Sequence, residues 1–237
     1  WGDRKVFGLI TDPKDKDWIA WQKEYFRFYM ENQRGSIGSV VNNAGYEVMS
    51  KVNLKGKKVL EIGAGDIKHN QFWKTKPAKY TIVDNLRSML EKSISRIKEI
   101  GVPYEAEFIG NNEKFKLPFE DNSFDVFISF YNLEHLYPIS NFTKEIVRVL
   151  NKDNATIAGA VPIEGGLAWG LGRYLTSRRW FKNNTKINPD KIICWEHPNF
   201  ITDIKSDLDE QFSKIIYSKK WPLSKLPLDM NLIWKFI

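Results

Sequence analysis

Two apolar runs of this chain each end in an acidic residue, and glycines follow the first run. The first reaches Glu61 and continues into Gly63-Ala64-Gly65, and the second ends at Asp84-Asn85, about twenty residues later. Glycine allows positive φ and lets a ligand lie closer to the backbone than a Cβ would permit. A carboxylate at this spacing suits the two hydroxyls of a ribose. We therefore expect a nucleotide site, with Gly63, Ala64 and Gly65 beneath the ligand and Asp84 and Asn85 at the ribose.

These runs belong to a longer alternation of apolar strands and amphipathic helices. Strands are predicted at 58–62, 80–84, 104–109, 124–130, 155–161, 213–221 and 230–236, and helices at 88–100, 141–150 and 201–212. Such alternation is typical of βαβ units, which form a parallel sheet with helices on both faces. In an open sheet of this kind the ligand lies at the carboxyl ends of the strands, where the strand order reverses.

A third segment makes the pattern specific. Leu117-Pro118-Phe119 is followed by Ser123-Phe124-Asp125 and then by Leu133-Glu134-His135. With the glycine turn, these segments resemble the class I S-adenosylmethionine-dependent methyltransferases, in particular the large small-molecule group, over roughly residues 55 to 162. The resemblance implies a methyltransferase whose cofactor is S-adenosyl-L-methionine. Ile67 stands where the family often has a third glycine, so we expect the helix after the turn to begin differently.

The resemblance also implies an architecture. It is an α/β, Rossmann-like, seven-stranded and mostly parallel sheet with an antiparallel last strand, a helical N-terminal segment and an insert after the fifth strand. We expect one methyltransferase domain over 1–237, made of an N-terminal cap (1–54), a cofactor-binding core (55–162), a substrate-recognition insert (163–200) and a closing helix with two strands (201–237).

Further cofactor contacts follow from the resemblance. Asn111 or Asn112 stands near the place of an Asp that binds the adenine amino group, although either could equally be a turn residue. Ser129 and Phe130 end the fourth strand beside the cofactor. Glu61 is expected to anchor the glycine loop or to meet the methionine ammonium group through water. The segment from Ser129 lacks the Pro-Pro pair typical of enzymes that methylate nucleobase nitrogens, so that activity is not expected.

Two histidines are candidate general bases. His135 comes just after the fourth strand, and imidazole can accept a proton near neutral pH. His135 could equally serve the structure or the cofactor, because its segment recurs among enzymes with unrelated substrates. His197 is the second candidate, with a structural role at least as probable on sequence grounds. Cys194 and the three histidines show no metal-ligand spacing along the chain, so we predict no metal.

The insert is expected to recognise the acceptor. It combines Arg173, Arg178 and Arg179 with Trp169 and Tyr174, a mixture that suits an anionic group beside a ring or an apolar tail. The formal charge of the whole chain, +7, also favours anionic partners. The alternative is an amphipathic insert whose aromatic residues pack on the sheet while its basic residues are solvated.

Composition sets outer bounds on the function. One cysteine excludes an internal disulfide, and neither a long apolar run nor a signal peptide is visible, so we expect a cytoplasmic protein without a membrane span. The leading hypothesis is O-methylation of a small or lipid- or phosphate-linked metabolite, such as a sugar or glycan precursor. The alternatives are an RNA methyltransferase, against which no RNA-binding module is visible, and a degenerate binding protein that kept the fold. The oligomeric state stays open.

Overall fold

The computed structural model describes residues 2–33, 42–110, 115–220 and 231–236. Within these residues, seven strands form one sheet in the order β3-β2-β1-β4-β5-β7-β6. In chain order the strands are β1 Lys58–Ile62, β2 Lys79–Asp84, β3 Tyr104–Phe108, β4 Val126–Phe130, β5 Thr156–Pro162, β6 Ile215–Lys220 and β7 Asn231–Phe236. The strand order reverses between β1 and β4, so their carboxyl ends define the crevice in which a ligand of this fold binds.

The pairings divide the sheet into two parts. Strands β3, β2, β1, β4 and β5 pair in parallel, whereas β7 pairs antiparallel with both β5 and β6. The prediction of a Rossmann-like α/β fold with a parallel sheet is confirmed. Its parallel part contains five strands, and the last two join it through the antiparallel pairings of β7.

Apolar residues alternate between the two faces of the central strands. On β4, Val126 and Ile128 belong to one buried cluster, and Phe127 between them belongs to the other. On β5, Ala158 belongs to the same buried cluster as Val126 and Ile128, and Ile157 belongs to the same cluster as Phe127. Because both faces are covered, nearly every residue of these strands is buried, which explains why the sequence shows them as continuous apolar runs.

Helices cover the sheet and close its connections. They span Arg4–Phe7, Lys16–Gln33, Arg87–Ile100, Ile139–Val149, Leu167–Leu175, Ser177–Asn184, Pro189–Glu196 and Ile201–Gln211, with 3-10 turns at Glu47–Lys51, Lys68–Phe72 and Leu133–His135. The connection after β1 holds the 3-10 turn Lys68–Phe72. Ile67, just before it, has a left-handed backbone with φ 48°, a conformation that glycine adopts more easily than a β-branched residue. We expected the helix after the glycine turn to begin differently because Ile67 replaces a glycine, and the connection begins here with a left-handed residue and a 3-10 turn.

The N-terminal helix Lys16–Gln33 packs against the insert. Trp21 forms a buried cluster with Phe181, Ile187 and Ile192, and the ring centroids of Trp21 and Phe181 are 4.9 Å apart. The long break in the strand alternation after β5 thus consists of three helices that share a small core with the N-terminal segment. None of the helices in the described ranges is long and apolar enough to cross a membrane.

Candidate active site

The turn after β1 is open on one side and tightly packed on the other. Gly63 and Gly65 have φ values of 69° and 56°, which disfavour any residue with a side chain. A Cβ on Gly63 would lie 2.6 Å from the side chain of Asn132, whereas a Cβ on Gly65 would meet no atom within 4 Å. Gly63 is therefore required by packing against the protein, and the free space above Gly65 is the cradle that a ligand can enter. Ala64, between them, is buried.

Glu61 lies in the buried strand that leads into this turn. Its carboxylate is buried, accepts a hydrogen bond from the Tyr80 hydroxyl and lies 3.1 Å from His69 Nε2. Trp73 Nε1 donates to His69 Nδ1 over 3.0 Å, so the ring proton of His69 resides on Nε2 and points to Glu61. Of the two roles expected for Glu61, the structure supports anchoring of the loop. Glu61 exposes 1% of its surface, and its contact with the methionine ammonium group through water stays a prediction.

Asp84 lies at the carboxyl end of β2 with only 7% of its surface exposed. One carboxylate oxygen accepts the Leu86 N–H over 2.9 Å. Burial raises the pKa of Asp84, and the hydrogen bonds from Leu86 and Asn85 lower it only in part. No cation of the described chain forms an ion pair with Asp84. A desolvated carboxylate without a countercharge fits the two hydroxyl donors of a ribose. Asn85 beside it is exposed.

Four further residues were predicted to contact the cofactor. Asn111 and Asn112 lie outside the described residues. Ser129 is fully buried within β4, and Phe130 packs against His69 with ring centroids 4.9 Å apart. Ser129 Oγ has no hydrogen-bond partner among the described residues. The role of Ser129 and Phe130 as cofactor contacts stays a prediction.

The second half of the site lies at the ends of β4 and β5. His135 ends the turn after β4, Glu164 follows β5, and His197 follows the last helix of the insert. The two imidazole rings are in contact, with centroids 4.4 Å apart. His135 Nδ1 donates to the Glu196 carbonyl over 2.5 Å, and His197 Nδ1 lies 2.8 Å from Glu164 Oε1. The two candidate bases, 62 positions apart in the chain, therefore form one site.

The two buried glutamates beside this histidine pair have very different pKa values. Burial would raise the pKa of Glu164, but His197 and Arg173 outweigh it and hold this pKa at about 2. Burial raises the pKa of Glu134 to about 8, and Arg173 lowers it only in part. Burial lowers the pKa of both histidines, and Arg173 adds to this at each ring. At neutral pH the two imidazoles are therefore neutral, and each has a lone pair available on Nε2.

A buried amide fixes the geometry of the pair. Asn199 Nδ2 donates to the carbonyl oxygens of Leu133 and Leu136 over 2.8 Å and 2.6 Å. Glu196 accepts a hydrogen bond from Trp21 Nε1 over 2.7 Å. These bonds tie the end of the insert to the turn after β4 and to the N-terminal helix, so the orientation of the His135 ring depends on both.

Sequence reasoning missed Glu134, Glu164 and Asn199. One signal was present, because the dipeptide Glu-His occurs twice, at Glu134 and at Glu196. The prediction of no metal rested on distance along the chain, whereas the fold brings three possible ligands together. Glu134, His135 and His197 can each offer a ligand atom so that the three atoms lie within 4.8 Å of one another.

The basic residues of the insert are largely engaged. Arg173 forms an ion pair with buried Glu164 beside Trp169, and Arg178 forms one with Asp190. Arg179 is exposed, and Tyr174 exposes 67% of its surface. Of the five insert residues predicted to bind substrate, Arg179 and Tyr174 face solvent, whereas Arg173 and Trp169 belong to the surroundings of the histidine pair.

The two halves lie on neighbouring strands at the point where the strand order reverses. A glycine turn after β1 and a buried carboxylate at the end of β2, next to a histidine pair beyond β4 and β5, lie where enzymes with a Rossmann-like sheet bind a nucleoside cofactor. Residues 60–158 match the family model of a methyltransferase domain. Over these residues the chain is similar to methyltransferase domains, and S-adenosylmethionine is the expected cofactor of such a domain.

Solved structures share this fold at low sequence identity. The YcgJ protein from Bacillus subtilis is 20% identical, with a TM-score of 0.52 over 79% of this chain and 72% of its own. An S-adenosylmethionine-dependent methyltransferase from Mesorhizobium loti is 14% identical, with a TM-score of 0.52 over 86% of this chain and 98% of its own. One from Thermotoga maritima is 15% identical, with a TM-score of 0.53 over 92% and 96%. Comparison with curated proteins gives no match.

Proposed function

We propose that this protein transfers the methyl group of S-adenosylmethionine to a hydroxyl oxygen of a small or lipid- or phosphate-linked metabolite. The observation that carries the proposal is the contact between two imidazoles, His135 and His197, with ring centroids 4.4 Å apart and the Nδ1–H of His135 held by the Glu196 carbonyl. A hydroxyl group starts protonated and needs a proton acceptor as it attacks. An acceptor that carries a free lone pair and no proton would not require this arrangement.

The proposed reaction is an in-line displacement. The acceptor oxygen forms a bond to the methyl carbon, the sulfur–methyl bond breaks, and the sulfur keeps the electron pair and loses its positive charge. His135 Nε2 accepts the hydroxyl proton, while the Glu196 carbonyl holds its Nδ1–H and so fixes the tautomer. Asp84, Gly63 and Gly65 hold the cofactor, so positioning contributes much of the rate.

Two exposed features support an anionic acceptor with an apolar part. Leu171, Tyr174 and Leu175 lie on one face of the helix Leu167–Leu175 and are 60%, 67% and 59% exposed. Exposed Arg179 follows on the next helix, and a guanidinium binds phosphate or carboxylate through a planar fork. A sugar or glycan precursor on a phosphate or lipid carrier combines both chemistries.

Transfer of a radiolabelled methyl group tests the proposal. The labelled cofactor is incubated with panels of nucleotide sugars, lipid phosphates and short RNAs, and the products are treated to distinguish ethers from methylated nitrogens. Labelled ethers from the first two panels are expected. Transfer to RNA alone would favour the RNA methyltransferase alternative. Calorimetry with the cofactor and its demethylated product separates the degenerate alternative, because a protein that lost the site should bind neither.

A further inference from the structure

We propose that Glu134, His135 and His197 bind a divalent transition-metal ion of the zinc type and leave one coordination position open. The three side chains come from the turn after β4 and from the end of the insert, and each can offer a ligand atom within 4.8 Å of the other two. Two imidazoles and one carboxylate are a donor set that suits Zn²⁺ with a fourth, exchangeable ligand.

Both imidazoles are already oriented as metal ligands. His135 Nδ1 donates to the Glu196 carbonyl over 2.5 Å, and His197 Nδ1 lies 2.8 Å from the Glu164 carboxylate. A metal-binding histidine nearly always donates its second ring N–H to a carbonyl or carboxylate, which fixes the tautomer and makes Nε2 the ligand atom. His135 satisfies this condition, and for His197 the Glu164 carboxylate lies within reach of the same ring nitrogen.

Glu134 supplies the second, independent observation. Its side chain is 3% exposed, and Oε2 has no hydrogen-bond partner among the described residues, while Oε1 lies 3.9 Å from His135 Nε2. The two Nε2 atoms and the ionised form of Glu134 are all acceptors, and no donor among the described residues joins them. A cation would satisfy the three at once and allow Glu134 to ionise, whereas without a cation an unpartnered buried carboxyl group stays protonated.

The required movement is small. Zinc bonds of about 2.0–2.2 Å place tetrahedral ligand atoms about 3.4 Å apart. Separations of at most 4.8 Å therefore need to close by about 1.4 Å or less, which side-chain rotation can supply. Asn199 holds the two backbone segments together through its bonds to Leu133 and Leu136, so the ligand positions are fixed without the ion. Hard cations such as Mg²⁺ prefer oxygen ligands and should bind poorly.

This inference deepens the proposed function: with the ion bound, His135 Nε2 is a ligand, so the acceptor hydroxyl at the open position would have its pKa lowered by the ion and lose its proton to solvent, whereas in the metal-free protein His135 Nε2 accepts that proton. That use of the ion rests on the proposed O-methylation. The metal site itself does not. Binding can be measured without cofactor or acceptor, so failure of the metal site leaves the transfer assay untouched, and failure of O-methylation leaves the metal measurement intact.

The experiment is a titration of the tag-free protein with Zn²⁺ by calorimetry, and with Co²⁺ as an absorbing substitute. We expect one ion per chain, visible Co²⁺ bands of a low-coordinate site, and a higher thermal midpoint with Zn²⁺. Glu134→Gln keeps the size of the side chain and should lower the affinity at least tenfold without loss of thermal stability. Glu164→Gln loosens the partner of His197 and should lower the affinity by about 10- to 100-fold.

His69 is an internal control. It is buried, like the proposed ligands, but both of its ring nitrogens are engaged, by Glu61 and Trp73, so it should bind no metal. The double variant His135→Gln, His197→Gln retains His69 and should show no Co²⁺ bands. The proposal is overturned if Zn²⁺ does not bind, if Mg²⁺ binds equally well, or if Glu134→Gln and the double variant both retain wild-type affinity.

Discussion

Replacement of Asp84 by Asn separates a binding role of this residue from a structural one. The substitution keeps the size of the side chain and one acceptor oxygen, which can still take the Leu86 N–H now bound over 2.9 Å. It removes the negative charge that the structure buries without a countercharge. The variant therefore changes the interaction with ribose hydroxyls and preserves the local turn.

The size of the effect follows from the two hydroxyl bonds. A hydrogen bond to a charged group contributes about 1.5–3 kcal/mol and one between neutral groups about 0.5–1.5 kcal/mol. Each bond should lose about 1–1.5 kcal/mol, so two bonds lose about 2–3 kcal/mol, a ~30- to ~150-fold rise in the dissociation constant. The apoprotein should melt at the same temperature or slightly higher, because burial raises the pKa of Asp84 and its ionised form is desolvated.

Calorimetry with S-adenosylmethionine and with its demethylated product measures the affinities, and differential scanning calorimetry measures the stability. Asp153→Asn, which changes an exposed carboxylate in a turn, is the matched control and should alter neither. If Asp84→Asn leaves both affinities unchanged, or if it destabilises the apoprotein while affinity falls in proportion, Asp84 supports the turn and the ribose lies elsewhere.

The same carboxylate sets a pH dependence of cofactor binding. The pKa of Asp84 is raised in the free protein, and the ribose hydroxyls bind the ionised form, so bound cofactor lowers this pKa again. By linkage, affinity should rise as pH increases through the raised pKa of the free protein and should level off above it. Asp84→Asn should remove this rise. An equally steep dependence in the variant would assign the proton to another group.

Further predictions concern the glycine turn and the insert. Gly65→Ala should lower the free energy of unfolding by about 1–2 kcal/mol, from the left-handed backbone alone. It should also weaken cofactor binding strongly, because its Cβ would occupy the open space in which we expect the cofactor to lie. Gly63→Ala should be the more destabilising of the two in thermal melts, since its Cβ meets Asn132 at 2.6 Å; equal melting points would contradict this. Replacing Arg178 and Arg179 together with Gln should raise the KM for an anionic acceptor and leave cofactor affinity unchanged, whereas lost cofactor affinity would refute the anion site.

The positions of the glycine turn and of the carboxylate at the end of β2 could be predicted because their information is local. Gly63 and Gly65 follow a buried strand directly, and Asp84 ends the next strand, so strand ends and turn chemistry are readable within a few residues. The helices after β2 and β4 were predicted within two residues of their observed ends for the same reason, since apolar periodicity is a local property. What the local pattern could not reveal is which side chains remain accessible, and both Ser129 and Phe130 are buried in the fold.

The acceptor half depends on contacts between distant parts of the chain. Glu164 binds Arg173 and His197, and His197 contacts His135, but nothing in the separate segments indicates these pairings. Whether an arginine is free for a substrate depends on its partner, so Arg173 and Arg179 looked equivalent in sequence and differ in the fold. The absence of metal-ligand spacing along the chain was likewise uninformative, because the insert brings His197 back to the turn after β4.

One residue links the two halves of the site and explains why they keep a fixed relation. Asn132 donates to the Ile62 carbonyl over 3.1 Å, and its side chain fills the space where a Cβ of Gly63 would lie. The next three residues form the turn that ends at His135. The glycine at position 63 is therefore needed because it lets the turn after β4 approach the turn after β1, a reason separate from ligand binding. Methyl transfer requires the acceptor atom, the methyl carbon and the sulfur to be collinear. A direct contact between the cofactor turn and the histidine turn fixes that alignment more rigidly than two independent loops could.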